Sequence, residues 1–248
     1  MVGVRILTAG EQGLIVEFGN AINFDINARV HQTANLLRIQ MAEELIEVVP
    51  TYRSLLIYFN PLRIKRLALV KRIEEMLLTM EASTESVDAK VVYIPVCYGG
   101  EFGPDLDFVA EYNGLSVDEV IKIHTSTPYL VYMLGFTPGF PYLGGMSERI
   151  ATPRLEKPRT KIPAGSVGIA GSQTGFYPIE SPGGWRLIGC TPIKAFNSVM
   201  ENPFLFDAGN YLQFISVPSE EYYAIKQEID HGSYQPVTGI LGGGAGSI

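Results

Sequence analysis

The sequence predicts an α+β protein built from two unlike parts, an N-terminal ββαββα domain followed by a domain of many short strands. Three observations predict it. The first 80 residues carry two apolar stripes at helical spacing, each preceded by a pair of short β-prone runs. Nine of the 16 prolines then fall between Pro128 and Pro192. Proline lacks the donor N–H and clashes with the preceding helical turn, so long helices are excluded there. Between the two regions lies EASTESVDA, residues 81–89, small and polar as interdomain linkers are. The expected boundaries are 1–82 for the first domain, 83–89 for the linker, 90–231 for the second domain and 232–248 for a glycine-rich, mobile tail.

In the first domain, Arg5–Thr8 and Leu14–Phe18 read as a hairpin around AGEQG. Ile26, Val30, Ala34, Leu37 and Met41 then recur at i+3 and i+4, one face of a helix. Leu45–Val49 and Leu55–Phe59 form the next strand pair. Asn60-Pro61 reads as an N-cap with proline at the first helical position, opening a helix with Ile64, Leu67, Val70, Ile73, Leu77 and Met80 on its apolar side. GLIVEFGN at 13–20 and SLLIYFNP at 54–61 echo one another.

The second domain opens with a strand, Lys90–Cys97, and a short helix, Asp105–Asn113. Ser116-Val117-Asp118-Glu119 is a capping-box signature ahead of a helix that carries His124 near its end. Pro128–Met133 reads as a strand running into GFTPGF, residues 135–140. Val167–Ala170, Phe176–Ile179 and Trp185–Ile188 have strand length, as in a small barrel or sandwich. A strand at Tyr211–Val217 and a helix after Ser219 follow.

Composition excludes several classes. With 46% hydrophobic and 18% charged residues, the chain has an ordinary globular balance. No apolar run approaches the ~20 residues of a membrane helix, and the N-terminus lacks a secretory h-region. The expectation is a soluble cytoplasmic protein whose Cys97 and Cys190 stay as thiols. A net charge of −7 argues against nucleic-acid binding. No Cys or His pair has zinc spacing, so no metal site is expected. The block from Pro128 to Pro192 nevertheless holds six basic and three acidic residues, which suggests an anionic ligand or an acidic partner surface.

The wording GFTPGFPYLGG, PR…PR, PAGSVGIAG, QTGFYP and SPGGW…LIG.TP resembles the KipI family, also called allophanate hydrolase subunit 1, which includes PxpB, the B component of bacterial ATP-dependent 5-oxoprolinase. These motifs cover about a quarter of the chain. The resemblance implies a cyclophilin-like β-barrel for the second domain. It implies one component of an enzyme that works with A- and C-type partners, the latter KipA-like, to open 5-oxo-L-proline to L-glutamate. ATP and Mg²⁺ would be used by the complex and are not evidently bound by this chain alone. Other roles in the family are inhibition of a sporulation histidine kinase and membership of an allophanate-hydrolase-like complex. Cys190 stands where the family commonly has a basic residue.

Candidate site residues follow from residue chemistry and this resemblance. No P-loop and no G-x-S-x-G elbow is present. His124 is the candidate acid–base residue, with packing against a loop carbonyl as the alternative. Arg154 and Arg159 carry guanidinium forks suited to carboxylate or phosphate, with a structural salt bridge or barrel packing as the alternative. Gln173 and Tyr177 offer neutral hydrogen bonds, and Ser166 is a binding candidate, with a turn residue bonding its own backbone as the alternative. Phe136, Phe140, Tyr142 and Trp185 serve either as core or as the wall of a binding groove.

Overall fold

The computed structural model describes residues 3–80 and 89–241. The chain divides into two compact units, Met1–Val87 and Asp88–Ile248. The linker expected at 83–89 lies, except for its last residue, outside the described residues.

The first unit runs β1 (Arg5–Ala9), β2 (Gly13–Glu17), α1 (Phe24–Gln40), β3 (Leu45–Pro50), β4 (Ser54–Phe59) and α2 (Arg66–Met80). This is the ββαββα order read from the sequence. The sheet is antiparallel in the order β1-β2-β4-β3, with Leu7, Ile15, Leu56 and Val49 in one cross-strand row. The two echoing segments are therefore the central pair. Leu14 and Val16 alternate with Leu55 and Ile57 onto the buried face, as the two-residue period of a strand requires. They pack with Val30, Ala34 and Leu37 of α1 and with Leu69 and Ile73 of α2.

Helix α1 begins where Asn23 Oδ1 accepts from the backbone N–H groups of Asp25, at 2.7 Å, and Ile26, at 3.1 Å. Helix α2 differs from expectation. Asn60 does not cap it. Its carbonyl and side chain close one isolated turn through Leu62, Arg63 and Ile64, and the helix starts at Arg66. The stripe is rotated accordingly, so Leu67 is 83% exposed while Leu69, Ile73 and Met76 are buried.

The second unit contains β5 (Ala89–Tyr98), α3 (Leu106–Tyr112), α4 (Val117–Thr125), β6 (Tyr129–Leu134), β7 (Pro141–Gly144), a 3₁₀ turn (Glu148–Ile150), β8 (Arg159–Ile162), β9 (Ser166–Ala170), β10 (Gln173–Phe176), β11 (Ser181–Gly183), β12 (Arg186–Cys190), β13 (Tyr211–Ser216), α5 (Ser219–Asp230) and β14 (Thr238–Leu241). Seven strands run in the order β10-β9-β12-β5-β13-β6-β7, and β14 pairs with β5 beside them. The end strands β7 and β10 lie next to one another, with the Gly175 backbone facing the Pro141 carbonyl. The sheet is thus a nearly closed barrel. Val92, Ile94, Val131, Val167, Ile169, Phe176, Ile188 and Phe214 fill its core. The pair β8–β11 forms a separate ribbon.

Two expectations for this unit are corrected. Phe176–Ile179 is not a strand of its own; β10 occupies Gln173–Phe176, because the turn at Gly171 hairpins it directly onto β9. Part of the segment expected to be a mobile tail, Thr238–Leu241, is β14, antiparallel to the first residues of β5. That edge of β5 is otherwise open, since β12 pairs only with Cys97 and Tyr98. The remainder of that segment, residues 242–248, lies outside the described residues.

Candidate functional site

The signature block surrounds two neighbouring features of the second unit, an aromatic cluster and a polar groove. They share strand β8, whose side chains alternate. Ile162 enters the cluster, while Arg159 and Lys161 line the groove.

Phe140 is the hub of the cluster. Its ring meets Tyr142, Tyr177 and Trp185 edge-on, with centroids 5.3, 5.7 and 5.7 Å away. Such edge-to-face pairs match the positive ring rim to the negative face. Phe140, Tyr177 and Trp185 are all less than a tenth exposed, so these candidates pack as a second small core. Glycine is required at 183, where a Cβ would collide with the Tyr177 hydroxyl. Burial raises the Tyr177 phenol above its usual range, and the nearby Arg154 charge, the Trp185 backbone and Arg159 act against it.

Phe136 joins the outer side of that packing, its ring edge-on to Phe140 with centroids 5.6 Å apart. It is 65% exposed and has φ of +63°, the only non-glycine residue with positive φ among those described. Thr137 N–H donates to the Gly135 carbonyl at 2.7 Å across it, a γ-turn with a left-handed centre. A bulky side chain rarely accepts that backbone. The turn is fastened because Phe140 N–H donates to Thr137 O and Gly135 N–H to Phe140 O.

The groove has a volume of about 310 Å³ and is lined by Glu101, Phe102, Pro104, Arg159, Lys161, Pro163, Ser166, Leu187 and Cys190. Asp105 does not line it but holds two residues that do, Arg159 and Leu187. Its backbone N–H donates to Leu187 O at 2.9 Å, and its carboxylate accepts from Leu187 N–H at 2.7 Å. The same carboxylate pairs with Arg159 Nη2 at 2.9 Å, while Nη1 donates to the Trp185 carbonyl at 3.3 Å. Arg159 is therefore a clamp between α3 and β12 as well as a lining residue. Lys161 pairs with Glu180 at 2.9 Å, both side chains more than half exposed. Ser166 is only 4% exposed. Burial pushes the Cys190 thiol up, opposed by a contact from the Tyr222 hydroxyl.

His124 lies elsewhere, in the barrel interior at 0% exposure. Thr174 Oγ1 donates to the Gly168 carbonyl at 3.1 Å. Its one hydrogen thus committed, it accepts from His124 Nε2–H at 2.7 Å. Nδ1 is then the acceptor for the Tyr98 hydroxyl, also at 2.7 Å. The ring stacks on Phe214 at 4.6 Å, and the Tyr129 hydroxyl donates to the His124 carbonyl. Burial lowers the His124 pKa to about 3. The ring is a neutral tie between β5, α4 and β10, enclosed within the barrel.

Of the sequence candidates, the structure brings Arg159 and Ser166 into one groove and joins Phe140, Tyr142, Tyr177 and Trp185 in one cluster. Arg154 is exposed beside Tyr177. Gln173, at the start of β10, is half-buried and does not line the groove. Sequence reasoning does not single out Glu101, Phe102, Lys161 or Cys190 as groove residues. Two of them leave a signal there, Lys161 as one charge of the basic block and Cys190 as a departure from the family's wording. Among the described residues no three His, Cys, Asp or Glu side chains cluster as metal ligands would, and no helix is long and apolar enough to cross a membrane.

Comparison with known proteins assigns this architecture. The chain is 46% identical over 233 residues to the 5-oxoprolinase B subunit of Bacillus subtilis, covering 90% of this chain and 97% of the relative. It is 36% identical over 217 residues to the 5-oxoprolinase B subunit of Escherichia coli O157:H7, covering 88% of this chain and 97% of the relative. Among solved structures, TTHA0988 matches with a TM-score of 0.73 at 34% identity, over 84% of this chain. This chain spans only 40% of that longer one. A family model, "Carboxyltransferase domain, subdomain C and D", matches residues 4–206. With that match and these relatives, the chain belongs to the carboxyltransferase subdomain C and D family, alongside the proteins named as 5-oxoprolinase B subunits.

Proposed function

We propose that this chain is the B-type component of an ATP-dependent 5-oxoprolinase, acting in the cytoplasm with A-type and C-type partner chains to hydrolyse 5-oxo-L-proline to L-glutamate. One observation carries the reading: 46% identity over nine-tenths of the chain to a protein of that name, with nearly the whole of that protein matched.

The physical reading of the site supports a share in a composite active site. Opening a lactam with ATP requires a nucleotide site and cations around the transferred phosphoryl group, with Mg²⁺ held by carboxylates. The signature block supplies cations but no aspartate. ATP, Mg²⁺ and phosphoryl transfer therefore belong to partner chains in this proposal, and the groove and the neighbouring aromatic cluster to this one. The test is glutamate release from 5-oxo-L-proline with ATP and Mg²⁺, using the purified chain with and without the partner chains. Turnover only on mixing is the expected result. Turnover by the lone chain would overturn the shared-site reading, and none in any mixture would overturn the assignment itself.

A further inference from the structure

We infer that the groove between β8, β12 and the turn after β5 binds an amino-acid-sized carboxylate that also carries an N–H donor. The groove, at about 310 Å³, sits at the lower end of the size range of small-molecule sites. Its chemistry is divided. Phe102, Pro104, Pro163 and Leu187 present apolar surface suited to a short methylene chain or a small ring. Arg159 and Lys161 stand two residues apart on one face of β8, on the same side of the groove. Glu101 is the acidic residue lining it.

The strongest pointer to a ligand is Ser166. It lines the groove, and its hydroxyl makes no hydrogen bond to the protein among the described residues while staying open to the groove. The hydroxyl is therefore available as a donor and acceptor to whatever fills the groove. Its neighbour Gly165 has φ of +85° and lies where a Cβ would collide with the Thr191 carbonyl. The backbone is thus held tightly beneath the hydroxyl.

The charges select the ligand. Asp105 is committed to Arg159 and to the Leu187 N–H. Arg159 uses one nitrogen on Asp105 and one on Trp185 O, leaving further donors of its fork for an incoming acceptor. The Lys161–Glu180 pair is exposed, and pairs of that kind are weak. Lys161 can therefore turn to a ligand carboxylate at small cost. Glu101 adds an acceptor at the same groove, which disfavours a multiply charged anion and favours a ligand with its own N–H. A lactam acid or an α-amino acid meets both demands. The choice of 5-oxo-L-proline as first probe rests on the 5-oxoprolinase reading, whereas the ligand class does not.

Cys190 provides a reporter, being half-buried in the groove wall while Cys97 is buried. The experiment measures alkylation of Cys190 by iodoacetamide in the full chain, with sites located by peptide mass. The probes are 5-oxo-L-proline, L-glutamate, acetate and inorganic phosphate. Saturable protection by 5-oxo-L-proline or L-glutamate, and not by acetate or phosphate at equal concentration, is expected. Lys161→Ala should raise the half-protecting concentration about tenfold, the loss of one charge-assisted hydrogen bond. Ser166→Ala should raise it severalfold while leaving the Tm nearly unchanged, because the hydroxyl bonds no other group among the described residues. Absence of protection by any probe, equal protection by phosphate, or protection unchanged in both variants would overturn the inference. Protection by L-glutamate alone would uphold the site while removing support for 5-oxoproline as its ligand. Turnover by the mixed chains with KM unchanged in both variants would leave the function standing and sink the groove.

Discussion

Replacing His124 tests whether a neutral histidine ties the barrel together, through the pH dependence of stability. In the folded chain the ring is fully buried and its pKa falls from 6.5 to about 3 because burial penalises the cation. The unfolded chain regains the ordinary value. Between these two values the unfolded state binds the extra proton, so stability is complete above about pH 6.5 and is lost as the pH falls. Inside that window the loss is on the order of 1 kcal/mol per pH unit, about 2 kcal/mol from pH 6.5 to 4.5. Carboxylates titrate in the same range, so the informative quantity is the difference between wild type and His124→Gln, which carries no titrating ring. Urea unfolding followed by circular dichroism at a series of pH values supplies it. The variant should be less stable than wild type at pH 7, since Tyr98 and Thr174 lose well-placed partners, and the gap should close on acidification. A gap that stays constant from pH 7 to 4.5 would refute the burial of a neutral imidazole. So would a clean titration of His124 near 6.5 by NMR in the folded chain.

Four further outcomes follow from the packing. Asp105→Ala strands the Leu187 N–H and the Arg159 guanidinium, and should cost about 2–4 kcal/mol in urea unfolding, with Asp105→Asn at roughly half; the ion pair is discounted here because Arg159 is 29% exposed. Phe140→Ala removes the hub of the aromatic cluster and should cost about 3–5 kcal/mol, with loss of near-ultraviolet circular dichroism from Trp185. Gly103→Ala drives a Cβ into the Ile188 carbonyl, a backbone group that cannot swing aside, and should destabilise by about 3 kcal/mol in urea unfolding. Gly171→Ala meets open space but requires φ near +61°, so thermal unfolding should show a loss of only about 1–2 kcal/mol.

Much of the architecture is local and is therefore legible in the chain itself. The ββαββα order, the capping box at Ser116 and Glu119 and the stripe of α1 depend on residues a few positions apart. Spacing reports such features directly. The proline and glycine punctuation of 128–192 likewise excludes helices wherever the barrel needs short strands. The phase of α2 is not legible in this way, because Asn60-Pro61 satisfies a capping pattern while the backbone uses it for one isolated turn.

Which polar groups meet is set by packing between distant parts of the chain. Asp105 reaches Leu187 across 82 residues, His124 reaches Thr174 across 50, and Arg159 reaches Asp105 across 54. No periodicity in the sequence encodes these pairings. Burial, too, is a property of the closed sheet. The same aromatic letters yield an enclosed ring at Phe140 and an exposed one at Phe136, because one side chain enters the space between strands and the other sits on a left-handed turn. The two-part fold and the family are already legible in the order of residues. Strand closure determined that His124 is sealed inside while Ser166, Lys161 and Cys190 share a groove, since only three-dimensional packing sets which side chains water can reach.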